Sequence, residues 1–195
     1  ALDAETLNGR LPSALYLFID VIDMTRRAEE LACNAAFWRA VQEELLPQVA
    51  AAVKIPVIAA GGIMNGRGIA AARLLGAQAA QLGTAFLCSP ESGIAEAWRA
   101  ALSNAGDDST RLTRAFSGRP ARGIVNDFMR QMRAEEAQIL PYPVQNALTG
   151  DIRQAAAKAG RGDFMSLWAG QGVGLARPMP AAELVATLAA ELEAV

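Results

Sequence analysis

The chain has 195 residues, of which 52 % are hydrophobic and 19 % are charged, a balance typical of a globular protein with a sizeable core. Its 18 basic and 20 acidic residues give a formal net charge of -2 and form no basic stripe, which argues against nucleic acid or an anionic membrane as a partner. The sequence contains no histidine, so it lacks the commonest general base and metal ligand.

The two cysteines and the first residues bear on the cellular compartment. Cys33 and Cys88 lie far apart and in no metal-binding spacing, which argues against a disulfide framework and a zinc site. The first ten residues lack a basic region before an apolar core, and the apolar run at 15–24 is short and contains Asp20 and Asp23. We therefore expect a cytoplasmic protein without a signal peptide, a membrane span or a bound metal.

The first half of the chain alternates between strand and helix patterns. Residues 14–22 have the β-branched and aromatic composition of a buried strand, and residues 26–53 have helical spacing, interrupted near Pro47. Residues 56–60 form an apolar run that ends at Gly61 and Gly62, residues 68–75 have helical spacing, and residues 79–82 form a second run that ends at Gly83. This alternation predicts parallel strands joined by a right-handed crossover, and therefore an α/β fold.

The second half is predicted to be mostly helical. Ser89, Pro90 and Glu91 have the residue types of a helix start, and that helix is expected to end near Asn104. A polar, turn-rich stretch follows from residue 106, and helices are predicted over 126–138 and 144–159. The last segment is predicted to dock on the body of the protein through an apolar stripe of Leu184, Val185, Leu188 and Leu192.

The two glycine-ended strands suggest an anion site. Free backbone amides at a glycine-rich strand end allow an anion to approach closely, and phosphate is the natural ligand. Two successive glycine-ended strands are the arrangement that binds phosphate late in many (β/α) barrels, and Thr84 would add a hydroxyl. Turn geometry alone also explains glycine at strand ends, so both interpretations stay open.

Several stretches of the sequence resemble one family. They are IPVIAAGGIMNGRGIAAARLLGAQAAQLGTAFL at 55–87, SGRPARGIVNDF at 117–128, LPYPVQNALTG at 140–150 and FMSLWAGQGVGLAR at 164–177. Together they resemble the nitronate monooxygenases, formerly called 2-nitropropane dioxygenases, over residues 44–195. The resemblance implies a TIM-type (β/α) barrel that holds FMN at the carboxyl ends of its strands, with a mostly helical C-terminal extension.

The resemblance also implies roles for individual residues. The FMN phosphate would be bound by Gly61, Gly62, Gly83 and Thr84, with Gln81 near it on the final strand. For Gln81 the alternative is a polar residue that holds neighbouring loops. Gln171 would contact the cofactor or the substrate, although the glycines around it are equally explained by a tight turn.

Other conspicuous residues of the resembling stretches are expected to be structural. Trp168 is interpreted as a packing residue, and Arg119 and Arg122 as residues that hold loops rather than a substrate. Arg67 and Arg73 are expected to face water.

The sequence departs from the family in one catalytic feature. Members carry a glutamate-alanine-glycine-glycine-histidine motif whose histidine removes the substrate's α-proton, and this chain has neither the motif nor any histidine. A TIM barrel usually takes about 250 residues. The barrel is therefore predicted to be incomplete, either because the chain is the carboxyl-terminal part of a longer enzyme or because part of the fold was lost.

Four segments follow from the resemblance: an unmatched segment at 1–43, the last barrel strands with the phosphate loops at 44–105, a helical and turn-rich extension at 106–180, and a docking helix at 181–195. An incomplete barrel exposes strand edges. Residues 14–22 would supply a replacement strand on the open edge, or a second copy of the chain in a homo-oligomer would cover it.

The predicted function is an FMN-dependent oxidoreductase that oxidises alkyl nitronates, small molecules, with oxygen. Proton abstraction would need a base such as Asp127, whereas a nitronate, already deprotonated, needs none. One alternative is an FMN-dependent enoyl-acyl-carrier-protein reductase, whose phosphate loops look similar. The other is a truncated, non-catalytic relative, so the sequence leaves open whether the chain is an enzyme.

Overall fold

The computed structural model describes residues 45–195 and the backbone of the strand Leu15–Phe18. Cys33 and the helix predicted before residue 45 lie outside these described residues. Within them, three parallel strands form one sheet in the order β1-β2-β3: β1 (Leu15–Phe18), β2 (Val57–Ala60) and β3 (Ala79–Gln81). The prediction of an α/β fold with a strand-helix-strand unit is confirmed.

The central strand β2 is fixed on both sides. Leu15 lies opposite Val57 in the pairing of β1 with β2, and Ile58 lies opposite Ala79 in the pairing of β2 with β3. The strand predicted over residues 14–22 is therefore present at Leu15–Phe18, and it lies on one edge of the sheet. Because all three strands are parallel, their carboxyl ends lie together along one border of the sheet, perpendicular to the outer strands. The loops that follow the strands leave from this border.

A helix precedes β2 and another follows it. Residues 45–52 form α1, and Gly66–Leu74 form α2, which links β2 to β3. Pro47 lies within α1, and an interruption on its N-terminal side would fall on residues before 45, outside the described part of the chain. Leu46, Val49 and Val53 are buried in one cluster with Val57 and Ala59 of β2 and hold α1 in place.

The segment after β3 contains two helices rather than one. The helix α3 covers Thr84–Leu87, a 3-10 turn covers Pro90–Ser92, and α4 covers Glu96–Ser103. The start predicted at Ser89 is present, with Ser89 as the cap residue and Pro90 first, but it begins only a short 3-10 turn that Gly93, with φ of 66°, ends. A left-handed residue cannot continue a right-handed helix, so α4 begins only at Glu96. The predicted end near Asn104 is confirmed.

The extension contains a β-hairpin that the sequence analysis did not predict. The strands β4 (Thr110–Thr113) and β5 (Ala121–Ile124) pair antiparallel, with Thr110 opposite Ile124, and Gly123 bridges to Trp168. Arg122 is buried on β5 and donates from Nη1 to the Thr110 carbonyl at 3.3 Å. The charged and polar composition of this stretch did not predict the strand pair, because one of its charged side chains, that of Arg122, is buried and hydrogen-bonded inside the protein.

Three further helices follow the hairpin. They are α5 (Asp127–Ala134), α6 (Val144–Leu148) and α7 (Gly150–Lys158), with short 3-10 turns at Glu136–Gln138, Gly162–Phe164 and Gln171–Leu175. The single helix predicted over 144–159 is divided at Thr149, whose hydroxyl donates to the Phe116 carbonyl at 2.5 Å. That contact ties the junction of α6 and α7 to the hairpin.

Trp168 belongs to an aromatic cluster, as predicted. Its ring meets Phe116 edge to face at 5.4 Å, and Phe116 stacks on Phe128 at 4.8 Å. The cluster joins the hairpin, α5 and the segment before residue 170. Edge-to-face and offset pairs of this kind add about 0.5–1.5 kcal/mol beyond area burial.

The last helix, α8 (Ala181–Glu193), packs against α2. Leu184 and Leu188 are buried, whereas Val185 is 56 % exposed, so the predicted stripe is right except for Val185. The two helices approach closely at Gly66, where a Cβ atom would lie 2.5 Å from the backbone nitrogen of Leu192. Among the helices of the described residues, none has the length and apolarity needed to cross a membrane.

Candidate functional site

The two glycine-ended strands place their loops side by side. Ala60, the last residue of β2, lies opposite Gln81, the last residue of β3, so the loops that follow them leave the same edge of the sheet. Gly61 and Gly62 have φ values of 100° and 70°, a backbone conformation that L side chains rarely adopt. Glycine is therefore required after β2 to turn the chain toward α2.

A third segment meets these loops from far along the sequence. The backbone N–H of Gly170 donates to the hydroxyl of Thr84 at 2.8 Å. A Cβ atom on Gly170 would lie 4.0 Å from the Gly62 nitrogen, and one on Gly172 would lie 3.2 Å from the Gly62 carbonyl oxygen. The structure thus brings together the loop after β2, the loop after β3 and the segment that contains Gln171.

Close approach, rather than turn geometry, explains glycine in this third segment. Gly170 and Gly172 have φ values of -72° and -76°, which any residue adopts. A Cβ atom on Gly172 would, however, lie 2.7 Å from the Met64 side chain, and one on Gly170 would lie 3.3 Å from the Thr84 hydroxyl. These glycines are needed because the segment packs directly on the loop after β2 and on the start of α3.

Gly83 differs from these glycines because space remains beside it. A Cβ atom built there meets no atom of the described residues within 4 Å, and its φ of -106° is accessible to other residues. Gly83 precedes the first residue of α3, where the Phe86 amide donates to the Gly83 carbonyl at 3.0 Å and the two amides before it have no acceptor within the helix. Among the described residues, neither strain nor packing requires a glycine at this position, whereas a ligand that approaches the backbone would.

The start of α2 is already occupied by side chains of the protein. The Asn65 side chain accepts a hydrogen bond from the Gly68 nitrogen at 2.9 Å, and the Glu191 carboxylate accepts one from the Gly66 nitrogen at 2.8 Å. Arg177 pairs with the other oxygen of Glu191 at 2.7 Å. An anion at this edge of the sheet would therefore depend on the glycine loops and α3 rather than on these amides.

Glu191 is a residue of this site that the sequence analysis missed. Its hydrogen bond from Arg177, followed by that from the Gly66 backbone, holds the pKa of the Glu191 carboxyl below its usual value. The carboxylate lies on α8, 125 positions from Gly66 in the sequence. No local pattern marks a contact between residues so far apart.

The two glutamines proposed for the site are both near the loops. Gln81 is the exposed last residue of β3, two positions before Gly83. Gln171 directly follows Gly170 and begins a 3-10 turn. Gln81 is thus placed at the sheet edge, and Gln171 is carried to it by the contact between Gly170 and Thr84.

Residues assigned to the scaffold are found in structural contacts. The Arg119 guanidinium lies over the Tyr142 ring at 4.7 Å, Arg122 is buried as described above, and Arg67 and Arg73 are exposed.

Asp127, the one carboxylate considered as a base, pairs with Arg130 at 2.6 Å in the first turn of α5. Burial raises the pKa of the Cys88 thiol, so this group is held protonated.

Comparison with known proteins identifies the family. A family model described as nitronate monooxygenase matches residues 39–191. The chain belongs to the nitronate monooxygenase family. A probable nitronate monooxygenase of Staphylococcus aureus (strain Newman) is 46 % identical to it over 144 residues, which cover 74 % of this chain and 41 % of that protein.

Solved structures agree with this membership. A nitroalkane oxidase from Streptomyces ansochromogenes aligns with a TM-score of 0.73 at 52 % identity, over 78 % of this chain and 44 % of the other. FabK from Thermotoga maritima aligns with a TM-score of 0.68 at 33 % identity, over 78 % of this chain and 49 % of the other. The chain spans less than half the length of each of these relatives.

Proposed function

We propose that this chain forms the phosphate-binding part of an FMN-dependent oxidoreductase that oxidises alkyl nitronates with oxygen. The observation that supports it is the meeting of three glycine-containing segments at one edge of the parallel sheet, with open space at Gly83. The phosphate would be bound by Gly61, Gly62, Gly83 and Thr84, with Gln81 close by. Gln171 would contact the cofactor or the substrate.

The residues present fit a phosphate in their shape and their donors. Backbone amides at a strand end and at the first turn of a helix carry partial positive charge, and glycine allows an anion to reach them. The Thr84 hydroxyl, which accepts from the Gly170 nitrogen, retains its own hydrogen for donation. The segment around Gly170 would thereby fix the orientation of Thr84 toward the ligand.

The three parallel strands with their crossover helix are also consistent with part of a TIM-type barrel. In that fold, cofactors and substrates bind at the carboxyl ends of the strands, which is the edge where the glycine loops lie. We propose an incomplete barrel in which β1 occupies one edge of the sheet. A homo-oligomer that covers strand edges belongs to the same proposal.

FMN, when bound, would accept electrons from the substrate and transfer them to oxygen. The chain contributes no histidine, and Asp127 is engaged with Arg130. A nitronate is already deprotonated, so its oxidation requires no general base from this chain. We therefore propose the nitronate, rather than the neutral nitroalkane, as the substrate.

The second candidate is an enoyl thioester reductase. The similarity to FabK from Thermotoga maritima, at 33 % identity, is the observation that keeps this candidate beside the first. Oxidation of NADPH stimulated by an enoyl thioester, with no reaction of a nitronate, would favour this candidate.

The decisive experiment compares FMN binding by two glycine variants. Gly83→Val places side-chain atoms where the ligand phosphate would lie, whereas Gly150→Val, at the start of α7, enters equally open space away from the loops. We expect Gly83→Val to lose FMN affinity by about tenfold or more, equal to about 1.4 kcal/mol, and Gly150→Val to keep it. Circular dichroism checks that both variants fold, and equal FMN affinity in the two would place the cofactor elsewhere.

Activity is tested separately from binding. Oxygen consumption by the FMN-loaded chain is measured with an alkyl nitronate and with the corresponding neutral nitroalkane. We expect consumption with the nitronate and little or none with the nitroalkane. Tight FMN binding without oxygen consumption would leave a flavin-binding, non-catalytic relative as the better description.

A further inference from the structure

A separate cleft lies between the hairpin and α5. Its volume is about 390 Å³, within the range of small-molecule sites. Four arginines line it: Arg111 and Arg114 from β4 and the residue after it, and Arg130 and Arg133 from α5. The lining includes no residue of the glycine loops or of the segment around Gln171. This group of residues is called the arginine cleft below.

The arginine cleft carries an excess of positive charge. Arg130 is neutralised by Asp127 at 2.6 Å. Arg111, Arg114 and Arg133 form no ion pair with any carboxylate of the residues that the structure describes. Glu136 is the one carboxylate in the lining. Three arginines in the lining of one cleft, without ion-pair partners among the described residues, favour an anionic ligand there.

Two of these guanidinium groups are held in position by the backbone. Arg111 donates from Nη1 to the carbonyls of Asp108 and Thr110 at 2.6 and 2.8 Å, and Arg114 donates from Nε to the Gly118 carbonyl at 3.1 Å. A guanidinium has five N–H donors, so each retains donors for a ligand. Because the side chains are already fixed, binding an anion would cost little further rotamer entropy.

The remaining wall of the arginine cleft is apolar. Leu112, Met132 and Ile139 are half-buried, and Met129 is buried, so the apolar side chains form a floor beside the arginines. Methionine side chains adapt to the shape of a bound group. A bare inorganic anion would leave this floor unused, whereas an anion that carries an alkyl group would contact both parts.

We propose that the arginine cleft binds a small amphipathic anion. Its phosphate or carboxylate head would be held by Arg111, Arg114 and Arg133, and its short alkyl body would lie against Met129, Met132 and Ile139. This inference does not depend on the proposed flavin function, because the glycine loops contribute nothing to the cleft.

The test is an isothermal titration of the chain with octyl phosphate below its micelle concentration. Octanoate replaces the phosphate head with a carboxylate, inorganic phosphate supplies the head alone, and octyl glucoside supplies the alkyl body without a charge. We expect one molecule of octyl phosphate or octanoate per chain, and affinity at least about tenfold weaker for the two partial probes. The tighter of the two charged probes identifies the head group, and equal binding of octyl glucoside would overturn the proposal.

Variants locate the binding within the protein. Arg133 makes no hydrogen bond or ion pair in the described part of the chain, so Arg133→Gln removes its charge without disturbing a structural contact. We expect Arg133→Gln and Arg111→Gln each to weaken octyl phosphate binding by about tenfold. Arg73→Gln, on the exposed face of α2, is the matched control and should bind as the parent does. Unchanged affinity in Arg133→Gln and Arg111→Gln alike would rule out the arginine cleft.

Discussion

Three different physical reasons explain glycine at the candidate site. Gly61 and Gly62 adopt positive φ values, Gly172 allows another segment of the chain to approach closely, and Gly83 has open space beside it that a ligand could enter. The sequence shows only that glycine recurs at these positions. Which reason applies at each position depends on φ and on the atoms that surround the missing Cβ.

The first prediction at this scale concerns Gly172. In Gly172→Ala the added methyl would lie 2.7 Å from the Met64 side chain and 3.2 Å from the Gly62 carbonyl oxygen. We expect a loss of about 1–3 kcal/mol in the free energy of unfolding, because the two segments must move apart. FMN affinity should fall with it under the proposed function. Urea denaturation and FMN titration measure the two effects.

A matched variant distinguishes local overcrowding from the mere loss of a glycine. Gly150→Ala, at the start of α7, meets no atom within 4 Å. It should keep FMN affinity and stabilise the protein by about 0.4–1 kcal/mol through reduced unfolded-state entropy. Equal stability changes in the two variants would argue against the packing explanation for Gly172.

At the scale of elements, the start of α2 is stabilised by a side chain from α8. Glu191 accepts a hydrogen bond from Gly66 and pairs with Arg177, so the last helix is tied to the helix that follows the first glycine loop. The close approach at Gly66 lets the two helices make this contact. The Glu191 carboxylate thus accepts a hydrogen bond at the start of α2, which is a position where backbone amides often bind a phosphate.

The second prediction is that Glu191→Gln destabilises the protein in a pH-dependent way. The pKa of the folded-state carboxyl lies below its ordinary value of 4.5, so its contribution to stability is present above that value and is lost as the pH falls through the folded-state pKa. The free-energy difference between parent and variant should therefore be constant near neutral pH and shrink below about pH 4.5. Urea denaturation across the pH range measures it, and a difference that grows on acidification would contradict the assignment.

At the scale of the whole molecule, α8 connects the end of the chain to the glycine loops through a shared core. Leu184 and Leu188 are buried with Met64, which follows the first glycine loop, and with Ala85 of α3. The helix therefore packs against residues that follow both loops of the candidate site. Its apolar stripe is a structural requirement of the site as well as of the fold.

The third prediction tests this support with two variants on one helix. Leu184 is 1 % exposed, so Leu184→Ala should lower the free energy of unfolding by about 2–5 kcal/mol. Val185 is 56 % exposed, so Val185→Ala should change it by less than about 0.5 kcal/mol. Thermal or urea denaturation measures both variants, and a large effect at Val185 would contradict the packing of α8.

The sequence by itself determined the parallel strand-helix-strand unit and the positions of the loop glycines, because these depend on local patterns of apolar residues and glycine in adjacent segments. Its motifs between residues 55 and 177 also carried the resemblance to the family. Only the tertiary structure decided how Gly170 reaches Thr84, how Glu191 occupies the start of α2, and how residues 110–124 pair as a hairpin around the buried Arg122. The first two contacts join residues that are distant along the chain. The third buries the charged side chain of Arg122, which local composition would place on the surface. Their free energies depend on geometry that exists only once the chain has folded.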